Sequence, residues 1–257
     1  MRKRIERKIK AKYIFVFLVI ICFVIAFWDV PFESRKPKSA YGAYAVYYLL
    51  NIDGMKGLGH TAFMLKDENG NGQIFSYNGM QHSLLECLVG KAGVGKMKNF
   101  SLNSEEVNAF LHTGNLQVED TSECDNFDRI LYRYISKEEF EQIQKEAGKY
   151  ITTGTEYETL YAAVFHATGE EKMLAEERLN EFQNQEGLLK YQIYTHNCDT
   201  VARELIALID QDVKEYNISK EKLTPTDNYI GMCNVVGEVW GYQIIGEDTL
   251  IERIFWK

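Results

Sequence analysis

The chain has 257 residues, 46% of them apolar and 13% aromatic, which suits a packed core and excludes wholesale disorder. Its net charge of −8 is unevenly spread: residues 1–38 hold ten Lys/Arg against three Asp/Glu, while residues 39–257 hold 19 against 34. A body that acidic repels phosphate backbones and argues against nucleic acid as a partner.

The basic head comes first. Seven of the first twelve residues are Lys or Arg, and Tyr13 to Trp28 follow without a charge. This run is longer than most signal-peptide cores and slightly shorter than the ~20 residues of a usual spanning helix. Lys12 can snorkel, and Tyr13 and Trp28 suit the two interfaces. No small-residue cleavage site follows promptly, so an uncleaved anchor is favoured over a signal peptide. The expected organisation is a cytoplasmic segment 1–12, a transmembrane anchor 13–28, a linker 29–43 and an extracytoplasmic domain 44–257, on a single-pass protein of the cell membrane.

"YAVYYLL", 44–50, reads as a strand. Strands at His60–Leu65 and Gln73–Tyr77 flank an Asn/Gly-rich turn and form a hairpin. "GKAGVGKM", 90–97, fits a phosphate-binding loop as far as Lys96, but Met97 stands where Ser or Thr must meet magnesium, so it reads as a flexible Gly/Lys loop. Asn103 with Glu106, Ser136 with Glu139 and Thr155 with Glu158 mark three helix starts. "RILYRYI", 129–135, alternates as a half-buried strand does. "GEEKMLAEERLNEFQNQ" reads as an acidic, solvated helix, with His166 as a cation closing the helix before it. "YQIY", 191–194, is strand-like, and residues 201–210 carry a helical apolar stripe. The tail from Gly241 is strand material. Strands early, a helical middle, one strong helix and a strand tail make an α+β protein.

The chemistry lies in "YTHNCDTVARELI" and "GHTAFML". Asn197 is a plausible N-cap, which puts Cys198 in the first helical turn. Partial positive charge there stabilises a thiolate, and first-turn N–H groups suit an oxyanion. A nucleophilic thiol needs a base, and His60 on a strand supplies one. His196, two residues from Cys198, is the rival base. His82 and His112 have no motif around them. A buried thiol of no chemical consequence is the plainer reading of Cys198. Cys87, Cys124 and Cys233 lack a helix-start signature and read as buried thiols or one disulfide; Cys22 lies in the anchor run.

These two motifs, in this order, resemble the papain-like fold in its circularly permuted form, which includes relatives of NlpC-type cell-wall peptidases and the lecithin retinol acyltransferase group. The resemblance implies an antiparallel sheet packed against helices, a Cys198 nucleophile and a His60 base. It implies a third polar residue on the strand after His60, either Asn78 or Ser76; reflection of His60 through the turn favours Asn78. "TPTDNY", 224–229, is similar to a segment after the Cys helix in some relatives. The implied activity is a thioester mechanism on an amide of cell-wall peptide, or on a lipid ester, with no metal or organic cofactor. A tethered binding module with an inert Cys198 is the third reading.

Overall fold

A computed structural model of the chain describes residues 34–38, 42–54, 59–80, 93–116, 126–185, 187–193, 195–219, 222 and 224–245. The expected cytoplasmic segment and anchor lie outside the described residues, as do Cys22, His82, Cys87, Cys124 and the end of the tail. Among the described residues, no helix is long and apolar enough to cross a membrane.

The protein is α+β, built on one seven-stranded antiparallel sheet of order β6-β4-β3-β2-β1-β5-β7. Its strands are β1 (Tyr44–Asn51), β2 (His60–Lys66), β3 (Gly72–Met80), β4 (Gly93–Leu102), β5 (Arg129–Ile135), β6 (Lys190–Tyr191) and β7 (Gly241–Ile244). The helices are α1 (Ser104–Thr113), α2 (Lys137–His166), α3 (Gly169–Gln185), α4 (Cys198–Ile206), α5 (Gln211–Ser219) and α6 (Pro225–Val235).

Period-two alternation explains the layers. Val46, Tyr48 and Leu50 of β1 share one face with Phe63 and Leu65 of β2 and with Phe75 and Tyr77 of β3. Ile143, Ala147 and Tyr150 of α2, Val201, Ala202 and Leu205 of α4, and residues of α5 and α6 cover that face. Ala45, Tyr47, Leu49, Ala62, Met64 and Ile74 point the other way, toward Val107 and Phe110 of α1 and toward Leu116 and Phe127. The central strands are thus covered on both faces, which is why β1 is a continuous apolar run rather than an alternating one. In β5 the expectation holds in part: Arg129, Ile130 and Leu131 are all buried, while Tyr132, Arg133 and Tyr134 are half-buried.

The β2–β3 turn is closed by Asp67, whose carboxylate accepts from the N–H groups of Asn69 and Asn71, both near 2.9 Å. Gly70 takes φ +84°, which its lack of a Cβ permits. Both expected capping boxes form, at Asn103 with Glu106 and at Ser136 with Glu139. Thr155 does not begin a helix. Its hydroxyl donates back to the Ile151 carbonyl at 3.0 Å, and α2 runs through it unbroken for 30 residues. The stretch read as a Gly/Lys loop supplies the first half of β4, which pairs with β3 from Gly72↔Leu102 to Met80↔Val94. Within the stretch expected to be a linker, Arg35 exchanges two 2.8 Å backbone hydrogen bonds with Tyr242 of β7.

The expected helix over 201–210 begins at Cys198 and ends at Ile206. Leu208 and Ile209 donate to carbonyls three residues back, so the last turn tightens. Asp210 then caps α5 by accepting from the Val213 N–H at 2.9 Å. Its other oxygen accepts from Arg133 at 2.7 Å and from the Trp240 indole at 2.8 Å, so one buried carboxylate ties β5, α5 and the approach to β7. Asp210→Ala strands a guanidinium and an indole N–H and is expected to destabilise the fold by about 3 kcal/mol. Urea unfolding measures this; a loss under 1 kcal/mol would show that the carboxylate is not the tie.

Candidate active site

Cys198 is the first residue of α4, as the sequence implied. Asn197 caps the helix from an extended conformation, accepting from the N–H groups of Asp199 at 2.9 Å and Thr200 at 3.0 Å. Its amide donates to the Ile193 carbonyl at 2.6 Å, fixing the cap to the preceding turn. Every apolar residue of α4 from Cys198 to Ile206 is buried. Two of the first-turn amides expected for an oxyanion are therefore engaged by the cap.

His60 opens β2. Gly59 precedes it at φ +90°, and a Cβ there would lie 2.8 Å from Thr226 Oγ1 and 3.2 Å from Pro225 of α6. Glycine at 59 is thus demanded twice, by backbone conformation and by the close approach of α6. The His60 ring is buried, and its Nε2 lies 2.9 Å from Ser76 Oγ. Asn78 donates to the same Oγ at 3.0 Å. The preferred third residue, Asn78, is therefore one step removed, and Ser76 is the group that meets the imidazole. The hairpin register explains the difference. Extended from Phe63↔Phe75 it would set His60 opposite Asn78, but β2–β3 pairing stops at that step, and the ring reaches diagonally to Ser76.

The neighbours of His60 and Cys198 are bridged by a third residue. The Tyr48 hydroxyl of β1 lies 3.2 Å from Thr61 Oγ1 and donates to Asp199 Oδ1. This places the first turn of α4 over the start of β2, and it shows that Thr61 faces α4. By alternation His60 projects to the other side of its strand, where Ser76 and Asn78 also lie.

Asp199 is buried, and burial pushes its pKa up against the opposing pull of Arg203 and the Tyr48, Arg203 and Asn228 donors. Arg203 Nε donates to it at 3.1 Å and Asn228 Nδ2 at 2.7 Å. Burial, with Asp199 beside it, drives the Tyr48 phenol well above its ordinary range, so Tyr48 stays a donor. The sequence assigns no separate role to Asp199, Tyr48, Thr61 or Asn228; Asp199 adjoins the cysteine, and Asn228 lies within the quoted "TPTDNY".

His196, the rival base, stands edge-on to the Tyr77 ring at 5.6 Å, and its Nε2 is buried with no hydrogen-bond partner among the described residues. Burial and then Lys190 lower its pKa. Cys233 is a free thiol, pushed up to about 12 by burial, so it forms no disulfide and is no nucleophile at neutral pH. His112 and His166 sit in the last turns of α1 and α2, so His166 is placed as the sequence implied. Among the described residues, no group of three His, Cys, Asp or Glu could hold a metal.

Burial pulls the His60 pKa down to about 4. The unfolded chain binds the proton near 6.5 and the folded chain does not, so stability is full above pH 6.5 and is lost as pH falls toward 4. About 3 kcal/mol is at stake. Denaturant unfolding of the protein and of His60→Gln across this window should show that component vanish in the variant; an unchanged pH slope would contradict a buried neutral imidazole. Asn197→Ala should cost about 1 kcal/mol in the same assay through loss of the cap, and no loss would mean the cap bonds are dispensable. No protein-family model, curated protein or solved structure matches the chain.

Proposed function

We propose that the protein is a cysteine hydrolase of permuted papain-like fold, acting outside the membrane on an amide bond of cell-wall peptide. One observation carries the reading: Cys198 opens a capped, buried helix whose first turn is bonded, through Tyr48, to the strand that His60 begins. An antiparallel sheet with the histidine hairpin early and the Asn-Cys helix late agrees with the permuted order. The N-terminal head would anchor the enzyme in the cell membrane.

In this mechanism the imidazole removes the Cys198 proton, and the thiolate attacks the carbonyl carbon. The positive end of α4 stabilises the tetrahedral oxyanion. The amine leaves with a proton from the imidazolium, and water then releases the acyl group from sulfur. Asn78 donates to Ser76 Oγ. Ser76 Oγ has a second lone pair that can accept from Nε2–H, and this tautomer leaves Nδ1 unprotonated to take the Cys198 proton. Because His60 and Thr61 point to opposite sides of β2, the base must reach sulfur around the end of the strand, where β2 and β3 no longer pair.

A second reading is favoured by burial. Cys198 is 2% exposed and His60 3% exposed, as in a tethered binding module whose thiol is inert. Alkylation of Cys198 against pH separates the two. A thiol titrating clearly below ~8.5 supports the enzyme, and ordinary or absent reactivity supports the module. His60→Ala should reduce hydrolysis by about a hundredfold or more. Loss only with His196→Ala would move the base to His196. Release of amines from wall peptide, compared with fatty acid from phospholipid micelles, decides between amide and ester substrates.

A further inference from the structure

We propose that Tyr48 and Asp199 are positioning residues for the Cys198 turn, an inference that rests on the hydrolase reading above. The Tyr48 hydroxyl bridges Thr61, the residue after His60, and Asp199, the residue after Cys198. With Tyr48 donating to the carboxylate, Thr61 donates to the phenolic oxygen, and the two bonds run in one direction from strand to helix.

The carboxylate is itself over-determined. Its second oxygen accepts from Arg203 Nε, one helical turn on, and from Asn228 Nδ2 of α6. Asn228 is held in turn by the Tyr216 hydroxyl at 2.9 Å and the Lys222 N–H at 2.7 Å. Arg203 also donates to Asn217. Asp199 and Arg203 are each 1% exposed, so neither can relax into solvent. The rotation of the first turn of α4 is thereby fixed against β1, β2 and α6 at once. A helix held only by Val201, Ala202 and Leu205 could roll by a few degrees at little cost, because apolar contact is non-directional. Hydrogen bonds of fixed length remove that freedom, and a displacement near 1 Å at a nucleophile can cost two orders of magnitude in rate.

The test uses the whole chain and two conservative variants, Tyr48→Phe and Thr61→Val, with alkylation at Cys198 followed by peptide mapping against pH and thermal melting recorded alongside. Tyr48→Phe keeps the ring that stacks on Tyr229. The expected result is a Cys198 rate lowered by roughly tenfold at pH 7, a titration midpoint moved up toward the ordinary thiol, and a cooperative melt retained. A merely structural role would lower the melting temperature and leave the midpoint in place, which overturns the proposal. If Tyr48→Phe does not fold, Thr61→Val cuts the same bridge at its other end and is read in the same way. A reactive wild-type Cys198 with both variants unchanged overturns the positioning role alone. A wild-type Cys198 with no depressed midpoint overturns the hydrolase reading, and this inference with it.

Discussion

The first turn of α4 depends on two charges held out of water. Asp199 and Arg203 lie one helical turn apart, both almost fully buried, and neither would survive there alone. Taking an ion pair out of solvent costs several kcal/mol per ion before any attraction is counted. Tyr48, Asn228 and Asn217 complete the shell. Elements far apart in sequence are thus drawn to one carboxylate: β1 through Tyr48, α4 through its own backbone, and α6 through Asn228. An apolar replacement of similar volume could be as stable. What it would lack is direction, since only polar groups specify which way the helix faces.

The network also explains why the two halves of the chain lie together. The early hairpin and the late helix are separated by nearly 140 residues, and closing such a loop is entropically unfavourable. The covered face of the sheet supplies the general driving force, with Val201, Ala202 and Leu205 against Phe63, Leu65 and Tyr77. The Tyr48 bridge then chooses one seating out of many that burial alone would allow. Asp210 does the same at another corner, where Arg133 and Trp240 converge.

Much of this was legible in the sequence where the signal is local. Capping boxes at Asn103 and Ser136, the Asp67–Gly70 turn and the Asn197 cap each rest on a few consecutive residues, and all were found where the pattern put them. Thr155 shows how the same pattern misleads, because a hydroxyl inside a helix can bond its own preceding turn. β4 was missed because its Gly and Lys residues resemble a loop, and only pairing with β3 along its whole length makes it a strand. The preference for Asn78 over Ser76 followed from ideal hairpin register and failed where the register breaks. The bridge of Thr61, Tyr48, Asp199 and Asn228 has no spacing to read, since each member comes from a different element.

The break in register has a mechanical meaning. β3 stays with β4 up to Met80, and β2 stays with β1 down to His60, yet the two strands are joined to each other only from Lys66↔Gly72 to Phe63↔Phe75. The sheet is therefore two panels sharing a short seam, and it opens like a fork beyond the stacked rings of Phe63 and Phe75. Past that point the rungs of main chain are replaced by one rung of side chains, imidazole to hydroxyl. Flexing of the panels about the seam would stretch that rung first, so the histidine sits at the open end of the fork.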